Sequence, residues 1–461
     1  MSTGVGTLIP LKQPRQPGVT PPSAKRAGLG APPPVAFILH FHWQVKSKRS
    51  LARRFDFQSS PTVRKDLRGG KSVWADSPHI RVRTRASLAH ETCDVVIVGA
   101  GISGALLAIV LAEAGHDVVV VDKRTPIHGS TLASTAMLQF ELDTPLIKLA
   151  DKIGGARAKR AYLRSFAAVA ALQGLVAKHG LRCGFKARSA LYLAGDEMGW
   201  RGLREETRFR QRIGLPSNFL PHTDLAQQFG IVGTGAILSA GAAELNPAQF
   251  SAACFRIAQR HGARIYSPVT ITQVAAMPGQ VTLQTSDGGS IVARRAIFAT
   301  GYEVAPNIPR GAFSITSSWA IATPPQPKAA FWPTRCLIWE AADPYLYVRS
   351  TVDNRIVAGG EDSALTSPAR RDHAIAHKAQ QLLGKLAELL PGRALTIDYA
   401  WAGAFAESPT GLPHISEIAG MPNCLSVLAC GGNGITFSVV AAEIAKAWCR
   451  NRRDPDSDLF R

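Results

Sequence analysis

The segment CDVVIVGAGISGALLAIVLAEAGHDVVVVDKR, residues 93–124, contains the pattern that decides the fold. An apolar run from Val95 to Val98 is followed by glycines spaced G-x-G-x-x-G, and then by an apolar stretch that ends at Gly115. A second apolar run, residues 118–121, ends at an aspartate. This order predicts a buried strand, a tight turn, a helix and a second buried strand. Such a unit binds a dinucleotide at the carboxyl ends of parallel strands.

The small and polar residues of this segment have separate roles in holding a pyrophosphate. Gly99 permits the tight turn, Gly101 lets phosphates approach the backbone, and Gly104 allows helix and strand to pack closely. The helix N-terminus offers unpaired N–H groups and a partial positive charge. Asp122 is placed to accept from a ribose hydroxyl, which a glycine-rich turn in an ordinary strand–helix–strand unit would not explain. The predicted contacts here are Gly99, Gly101, Ile102, Ser103, Gly104, Asp122 and Lys123.

Positive charge is concentrated at the start of the chain. The 461 residues carry a formal net charge of +20, and residues 1–90 contribute +13 of it. These residues are rich in Pro, Gly, Ser and Arg without a sustained apolar period, which predicts a disordered basic leader over 1–90. A start codon placed too far upstream and an organellar targeting segment both stay open as explanations. A nucleic-acid-binding arm is disfavoured, because aromatic residues do not alternate with the basic ones.

The rest of the composition is that of an ordinary enzyme body. The 46% hydrophobic content is enough for a substantial core. The apolar run of the leader, Val35 to Trp43, is too short to span a bilayer, so no transmembrane segment is predicted. The seven cysteines form neither a CxxC pair nor a metal-ligand cluster, which favours a cytoplasmic protein without a bound metal.

Three further motifs follow the glycine segment. They are HGSTLASTAM at 128–137, IFATGY at 297–302, and GLPHIS at 411–416 with LSVLACGGNGITFSVVAAEIAKAW at 425–448. Together with the glycine segment they resemble the FAD-dependent D-amino-acid oxidase family, which includes glycine oxidase and sarcosine oxidase. A second G-x-G-x-x-G for a nicotinamide does not follow. This fits a flavin enzyme that is reduced directly by its substrate.

The resemblance implies an α/β fold. The expected architecture is a Rossmann-type, glutathione-reductase-like FAD-binding domain with an inserted antiparallel-sheet substrate domain. Alternating apolar patterns place the substrate domain in residues 176–235 and 311–395. The FAD-binding domain is then discontinuous, formed by 91–175, 236–310 and 396–461. The substrate site is expected between the two domains.

The resemblance also implies how FAD is held. Small hydroxyl side chains after the second strand can donate to phosphate oxygens or to the flavin edge. In the family, the glycine loop before the C-terminal helix faces the flavin pyrimidine edge, where N–H groups stabilise the charge of the reduced ring. Relatives that bond FAD covalently use positions that are Ala133 and Tyr345 here, so non-covalent FAD is predicted. The implied contacts are Ser130, Thr131, Ser134, Thr135, Val269, Gly301, Gly431, Gly432, Asn433, Gly434 and Ile435.

The stretch DPYLYVRSTVDNRIVAGGED, residues 343–362, predicts two strands around a turn and carries the candidate substrate contacts. Tyr345, Tyr347 and Arg349 alternate along the first strand, so they project from one face. A guanidinium pairs bidentately with a carboxylate, and the resemblance implies that Arg349 holds the carboxylate of the substrate. The two tyrosines either close the pocket as further catalytic-site residues or pack as buried aromatic residues.

The predicted function is oxidation of a small amine or amino acid that carries a carboxylate, with hydride transfer to flavin N5. Oxygen or a quinone-linked carrier would accept the electrons. Two positions at which glycine oxidase-type relatives carry arginine are Phe405 and Gly432, which predicts a less cationic pocket. One alternative is an FAD-dependent 2-hydroxy-acid dehydrogenase, for which His414 could supply the base. Another is a non-catalytic flavoprotein that serves as an assembly factor.

Overall fold

The segment at 93–124 forms the predicted strand, turn, helix and strand. In the computed structural model the strand His90–Val98 pairs in parallel with Val118–Val121, and the helix Ile102–Glu113 connects them. All four valines of the second strand are fully buried. Because both faces of a parallel sheet are covered, its strands consist of continuous apolar runs rather than alternating ones.

The structure describes residues 66–303, 313–428 and 431–461, together with the backbone of residues 53–56. In chain order the strands are β1 (Arg53–Asp56), β2 (Arg68–Gly70), β3 (His90–Val98), β4 (Val118–Val121), β5 (Met137–Leu138), β6 (Lys186–Leu193), β7 (Ser217–Pro221), β8 (Gly235–Glu244), β9 (Arg264–Tyr266), β10 (Ile271–Met277), β11 (Gln280–Thr285), β12 (Ser290–Phe298), β13 (Ser314–Ala322), β14 (Leu337–Glu340), β15 (Leu346–Ser350), β16 (Ile356–Ser363), β17 (Tyr399–Glu407), β18 (His414–Glu417) and β19 (Cys424–Leu428). The helices are α1 (Ile102–Glu113), α2 (Leu146–Ile153), α3 (Gly155–His179), α4 (Trp200–Arg212), α5 (His222–Phe229), α6 (Pro247–Arg260), α7 (Pro368–His373), α8 (Ile375–Leu389) and α9 (Gly434–Cys449).

The first sheet is the Rossmann-type part of the fold. Its order is β1-β10-β11-β12-β3-β4-β9, and β19 joins it through β12 and also pairs with β18. The pairs around β3 are parallel, whereas β10, β11 and β12 form an antiparallel meander. Helix α1 packs against α6 and α9 on this sheet. The carboxyl ends of β3, β4 and β12 therefore meet at one edge, which is where such sheets bind nucleotides.

The second sheet is largely antiparallel. Its order is β2-β17-β13-β16-β15-β14-β6-β8-β5, with β7 paired to β8. Among these pairs only β14 with β6 is parallel. Helix α8 covers one face, where Trp319 and Val348 belong to the same buried cluster as Leu382. The predicted α/β class, with a Rossmann-type sheet and a separate antiparallel sheet, is confirmed.

The sheets divide the chain slightly differently from the predicted segments. Strands β8 and β17 belong to the second sheet, although the predicted segments 236–310 and 396–461 place them with the FAD-binding domain. All described residues fall in one compact unit, Ser50–Arg461. A division into an FAD-binding and a substrate domain stays a prediction.

Residues 66–90 correct the predicted extent of the leader. Strand β2 pairs with β17, and Leu67 and Trp74 are 5% and 4% exposed. The indole Nε1 of Trp74 donates to the Ser134 carbonyl at 2.6 Å. Composition averaged over ninety residues does not detect a few scattered apolar side chains that each fill a core position. The predicted disorder of residues 1–52 and 57–65 lies outside the described residues. Within the described part of the chain, no helix is both long and apolar enough to cross a membrane.

Candidate active site

One cavity opens at the carboxyl edge of the first sheet and is roofed by the second. Every predicted site residue lines it except Gly104 and Arg349. Segments distant in the sequence therefore meet here. The predicted residues in the lining are Gly99, Gly101, Ile102, Ser103, Asp122, Lys123, Ser130, Thr131, Ser134, Thr135, Val269, Gly301, Tyr345, Tyr347, Gly431, Gly432, Asn433, Gly434 and Ile435.

The glycine turn is shaped by close backbone contacts. Gly99 has φ +116°, and a Cβ placed there would lie 2.2 Å from the Ala299 carbonyl oxygen. A Cβ at Gly104 would lie 1.9 Å from the carbonyl oxygen of Gly99. No side chain is tolerated at such distances without a backbone shift. Gly104 thus sits behind the cavity and holds helix α1 against the turn, which is the packing role that its position predicts.

Asp122 ends β4 at the rim of this turn. Its Oδ2 accepts from the Ala100 N–H at 2.6 Å and its Oδ1 accepts from the Arg124 N–H at 2.7 Å. Burial raises the pKa of the Asp122 carboxyl. Each oxygen still has acceptor capacity for a ribose hydroxyl. Lys123 and Arg124 follow, and both pair with Glu303, at 2.8 Å and 2.5 Å.

The hydroxyl-rich loop is docked onto helix α1. Thr131 Oγ1 accepts from the Ile102 N–H at 3.0 Å, and Ser134 Oγ accepts from the Ala136 N–H at 3.1 Å. Ser130 Oγ is a buried atom without a hydrogen-bond partner among the described residues. Two of the four hydroxyls are thus engaged by the protein itself, whereas Ser130 leaves a polar atom at the cavity that a bound cofactor could satisfy.

The start of helix α9 is anchored to the chain segment after this loop. Asn433 precedes the helix, and its Nδ2 donates to the carbonyls of Gln139 and Glu141 at 3.1 Å and 2.8 Å. Thr436 Oγ1 donates to the same Gln139 carbonyl at 3.0 Å. The positive end of the α9 dipole is therefore held at the cavity wall beside Gly431 and the rest of the glycine loop.

Tyr345 and Tyr347 lie where the alternation of β15 predicts, on the cavity wall. Their ring centroids are 5.6 Å apart, and the Tyr347 hydroxyl lies 3.3 Å from Ser318 Oγ. Burial raises the pKa of both phenols well above its usual range, so both are neutral. Trp339, which stacks on Tyr192 at 3.7 Å, extends this aromatic wall. Of the two interpretations left open for the tyrosines, the pocket wall is the one that their position supports.

Arg349 is not among the residues that line the cavity, and its role in holding a carboxylate stays a prediction. It is 2% exposed, and its Nη1 donates to the carbonyls of Thr135, Ala136 and Leu245 at 3.1, 2.7 and 2.9 Å. Burial lowers its pKa to about 10, which leaves it charged at neutral pH. The three alternating side chains do share a face of β15, but the hydroxyl-rich loop crosses that face at the arginine. Arg349 therefore supports the loop from behind.

Two cavity-lining acids, Glu141 and Asp143, were missed by the sequence analysis. The Asp143 side chain is exposed, and its Oδ2 accepts from the Gly432 N–H at 3.0 Å. Glu141 is 2% exposed and its Oε1 lies 3.5 Å from Nη1 of Arg210, which also pairs with Glu206 at 2.8 Å. The available signal was the alternation of acids with apolar residues in QFELD, 139–143, directly after the hydroxyl-rich loop.

Histidine and cysteine are absent from the described lining of the cavity. His414, the candidate base for a hydroxy acid, lies outside that lining, with its Nε2 2.8 Å from Ser416 Oγ. Burial lowers its pKa. A search of the described residues for three or more His, Cys, Asp or Glu side chains that could hold a metal ion found none.

Comparison with known proteins decides the family. The model of the DAO family, described as FAD dependent oxidoreductase, matches residues 94–448. The chain belongs to this family. The resemblance stated from the motifs is therefore confirmed, and with it the use of FAD and the assignment as an oxidoreductase of the amino-acid or amine oxidase type.

Relatives within the DAO family are distant in sequence but match over most of their length. Glycine oxidase of Geobacillus kaustophilus (strain HTA426) is 24% identical over 351 residues, which cover 70% of this chain and 84% of the relative. Gamma-glutamylputrescine oxidoreductase of Escherichia coli (strain K12) is 23% identical over 372 residues, which cover 77% and 82%.

Solved structures of the DAO type share the fold. The crystal structure of glycine oxidase from Geobacillus kaustophilus superposes with a TM-score of 0.65 at 20% identity, covering 79% of this chain and 96% of that chain. L-proline dehydrogenase from P. horikoshii superposes with a TM-score of 0.67 at 16% identity, covering 80% and 98%. The cavity also suits FAD chemically, because a glycine cradle, a carboxylate for ribose and the unpaired Ser130 hydroxyl lie along one wall.

Proposed function

We propose that this chain binds FAD non-covalently and oxidises a small amine. The observation that carries the proposal is a single cavity that joins the glycine cradle to an aromatic wall beside the start of helix α9. The bound flavin would accept hydride at N5 from the carbon next to the amine nitrogen. Such a reaction needs positioning and charge stabilisation more than it needs an acid or base on the protein.

The residues of the chain would supply that positioning. The glycine loop and the N-terminus of α9 line the cavity, where the positive end of the helix dipole favours negative charge. The Gly432 N–H already donates to Asp143. Tyr345, Tyr347 and Trp339 form an uncharged wall that excludes water and holds a neutral amine. At the positions where relatives bond FAD covalently, Ala133 has no nucleophile and Tyr345 is a neutral phenol. These two residues support non-covalent binding.

A carboxylate on the substrate is not part of this proposal. Arg349 is engaged by backbone carbonyls. Among the cavity-lining residues that the structure describes, the cations are Lys123 and Arg124, which lie beside Asp122 and pair with Glu303. The names of the relatives include an amino acid, glycine, and an amine, gamma-glutamylputrescine. The charge distribution at this cavity supports the amine.

Anaerobic mixing of the purified holoenzyme with amines, amino acids and 2-hydroxy acids tests the proposal. We expect loss of the oxidised-flavin absorbance band with amines and no loss with hydroxy acids. Bleaching by 2-hydroxy acids alone would overturn the proposal in favour of a hydroxy-acid dehydrogenase. An unchanged spectrum with every compound would favour a non-catalytic flavoprotein. Flavin that stays in the pellet after acid denaturation would contradict non-covalent binding.

A further inference from the structure

Asp143 is an acidic residue that lines the cavity. It lies three residues before the start of helix α2, and the Gly432 N–H donates to its carboxylate at 3.0 Å. A Cβ placed on Gly432 would lie 2.7 Å from Asp143 Oδ1, and one placed on Gly431 would lie 3.0 Å from Oδ2. The carboxylate therefore fills the space above the glycine loop, and a side chain at 432 would displace it.

The charge near Asp143 is negative. The Gly432 N–H donates to the Asp143 carboxylate, and no described cation shifts the pKa of that carboxylate. The nearby cation Arg210 is already engaged by Glu141 and Glu206. An ionised carboxylate in a cavity, on which no described cation acts, attracts a cationic ligand.

Two further carboxylates, Asp362 and Glu407, lie within electrostatic reach of Asp143. Burial raises the pKa of Asp362 to about 6, and the negative charges of Glu407 and Asp143 raise it as well. The pKa of Glu407 is raised by burial and by Asp143 in turn. These mutual effects place several acids in electrostatic reach of one pocket. A carboxylate on the substrate would be repelled there.

The Asp143 end of the cavity is defined here as Asp143, Tyr345, Tyr347, Gly431 and Gly432. Two neutral phenols and a carboxylate line this end of the cavity, and the Asp143 charge acts on both phenols. Aromatic faces and a carboxylate are the groups that proteins use to bind organic ammonium ions. Neutral or anionic substrates of the same size would lack this attraction.

We propose that the substrate is a diamine or an N-substituted diamine, in which one nitrogen is oxidised and the other, as an ammonium ion, is held by Asp143. This rests on the proposed function, since it names the substrate class of the same site. Charge pairing at Asp143 would hold the far nitrogen protonated, while the neutral aromatic wall receives the nitrogen that must be uncharged to react.

Three four-carbon amines form a matched panel for this proposal. They are n-butylamine, 1,4-diaminobutane and 4-aminobutanoate, whose far ends are neutral, cationic and anionic. Each is titrated anaerobically into the holoenzyme, and an apparent dissociation constant is taken from the spectral change of the flavin, whether a band shift or bleaching. We expect the diamine to bind at least about tenfold more tightly than n-butylamine, and 4-aminobutanoate to bind most weakly.

Asp143→Asn removes the charge and keeps an oxygen that can accept from the Gly432 N–H. We expect the preference for diamine over n-butylamine to fall to about one in this variant. The matched control is Asp151→Asn, which removes the same charge from an exposed position on α2 and should keep the preference. If Asp143→Asn retains no flavin, the affinities of the three compounds for the unmodified protein test the proposal instead. Any ranking other than diamine, then n-butylamine, then 4-aminobutanoate then overturns it.

The outcomes separate this inference from the proposed function. A preference for 4-aminobutanoate, or a diamine preference that survives in Asp143→Asn, overturns the role of Asp143. Bleaching by all three amines at equal affinity also overturns that role but leaves amine oxidation in place. A diamine-selective band shift without any bleaching keeps the role of Asp143 and overturns amine oxidation. A spectrum unchanged by all three compounds contradicts both.

Discussion

The two ends of the cavity are built in different ways. At the Asp122 end, the turn, the helix and the acid all come from the continuous segment 93–124, and backbone atoms form most of the surface. At the Asp143 end, residues from three separate parts of the chain meet, and the Gly432 N–H donates to the acid. A cofactor shared by many proteins suits the first construction. In the second construction, a single substitution is enough to change the charge of the substrate pocket.

Gly104→Ala should have the largest effect, and it tests the backbone construction of the Asp122 end. The new methyl group would lie 1.9 Å from the Gly99 carbonyl oxygen, so turn and helix must separate. We expect loss of bound flavin or of soluble protein, read from the flavin-to-protein absorbance ratio. Gly174→Ala is the control, because Gly174 lies in helix α3 with no atom near the added methyl. It should be neutral or stabilising. Full flavin content in Gly104→Ala would refute the close packing.

Arg349→Met should have the next largest effect, on stability. It removes a buried cation whose bonds hold three backbone carbonyls, at a cost of roughly 3–5 kcal/mol. The thermal midpoint should fall, while the apparent substrate affinity of the folded fraction should stay unchanged. Arg294→Met, at a side chain that is 81% exposed, should leave the midpoint within error. A selective loss of affinity for anionic substrates with normal stability would restore Arg349 as a carboxylate anchor.

Asp122→Asn should weaken FAD binding by an intermediate amount. Its two oxygens accept from backbone N–H groups, and an amide would replace one acceptor by a donor that faces an N–H. The expected loss is about 1.5–3 kcal/mol of FAD affinity, measured by flavin fluorescence during titration of the apoprotein. The exposed carboxylate of Asp151 again supplies the control variant, Asp151→Asn. Equal FAD affinity in wild type and Asp122→Asn would show that the acid does not contact the cofactor.

Asp362→Asn should have the smallest effect, visible as a change in the pH dependence of stability. Because burial raises the folded pKa of Asp362 to about 6, the folded state binds more protons than the unfolded one between about pH 4 and 6. This carboxyl therefore destabilises the fold as the pH rises through that window. The variant should melt above the wild type at pH 7, and the two should converge near pH 4. A constant difference between them at all pH values would show that Asp362 does not titrate there.

The sequence was informative wherever a role belongs to a short continuous segment. The strand–turn–helix–strand unit, the helix after Asn433 and the cavity positions of the loop hydroxyls all follow from local patterns. Alternation along β15 puts Tyr345 and Tyr347 on one face, and both line the cavity.

The remaining features depend on contacts between distant segments. The carboxylate role of Arg349 was predicted from the family resemblance, but the loop that contacts this side chain comes from a distant part of the chain, Thr135 and Ala136. The alternation of acids in QFELD does not by itself assign a role to Asp143, because that role arises only when Gly432 folds against it. The folded segment that begins at residue 66 was assigned to the leader, because its few apolar side chains lie within a basic, proline-rich stretch of sequence.

The most direct test of the whole account is anaerobic mixing of the holoenzyme with 1,4-diaminobutane, followed through the oxidised-flavin band. The account predicts full bleaching of the band, with saturation at lower concentration than for n-butylamine. A band that 1,4-diaminobutane leaves oxidised while a 2-hydroxy acid bleaches it would contradict the account.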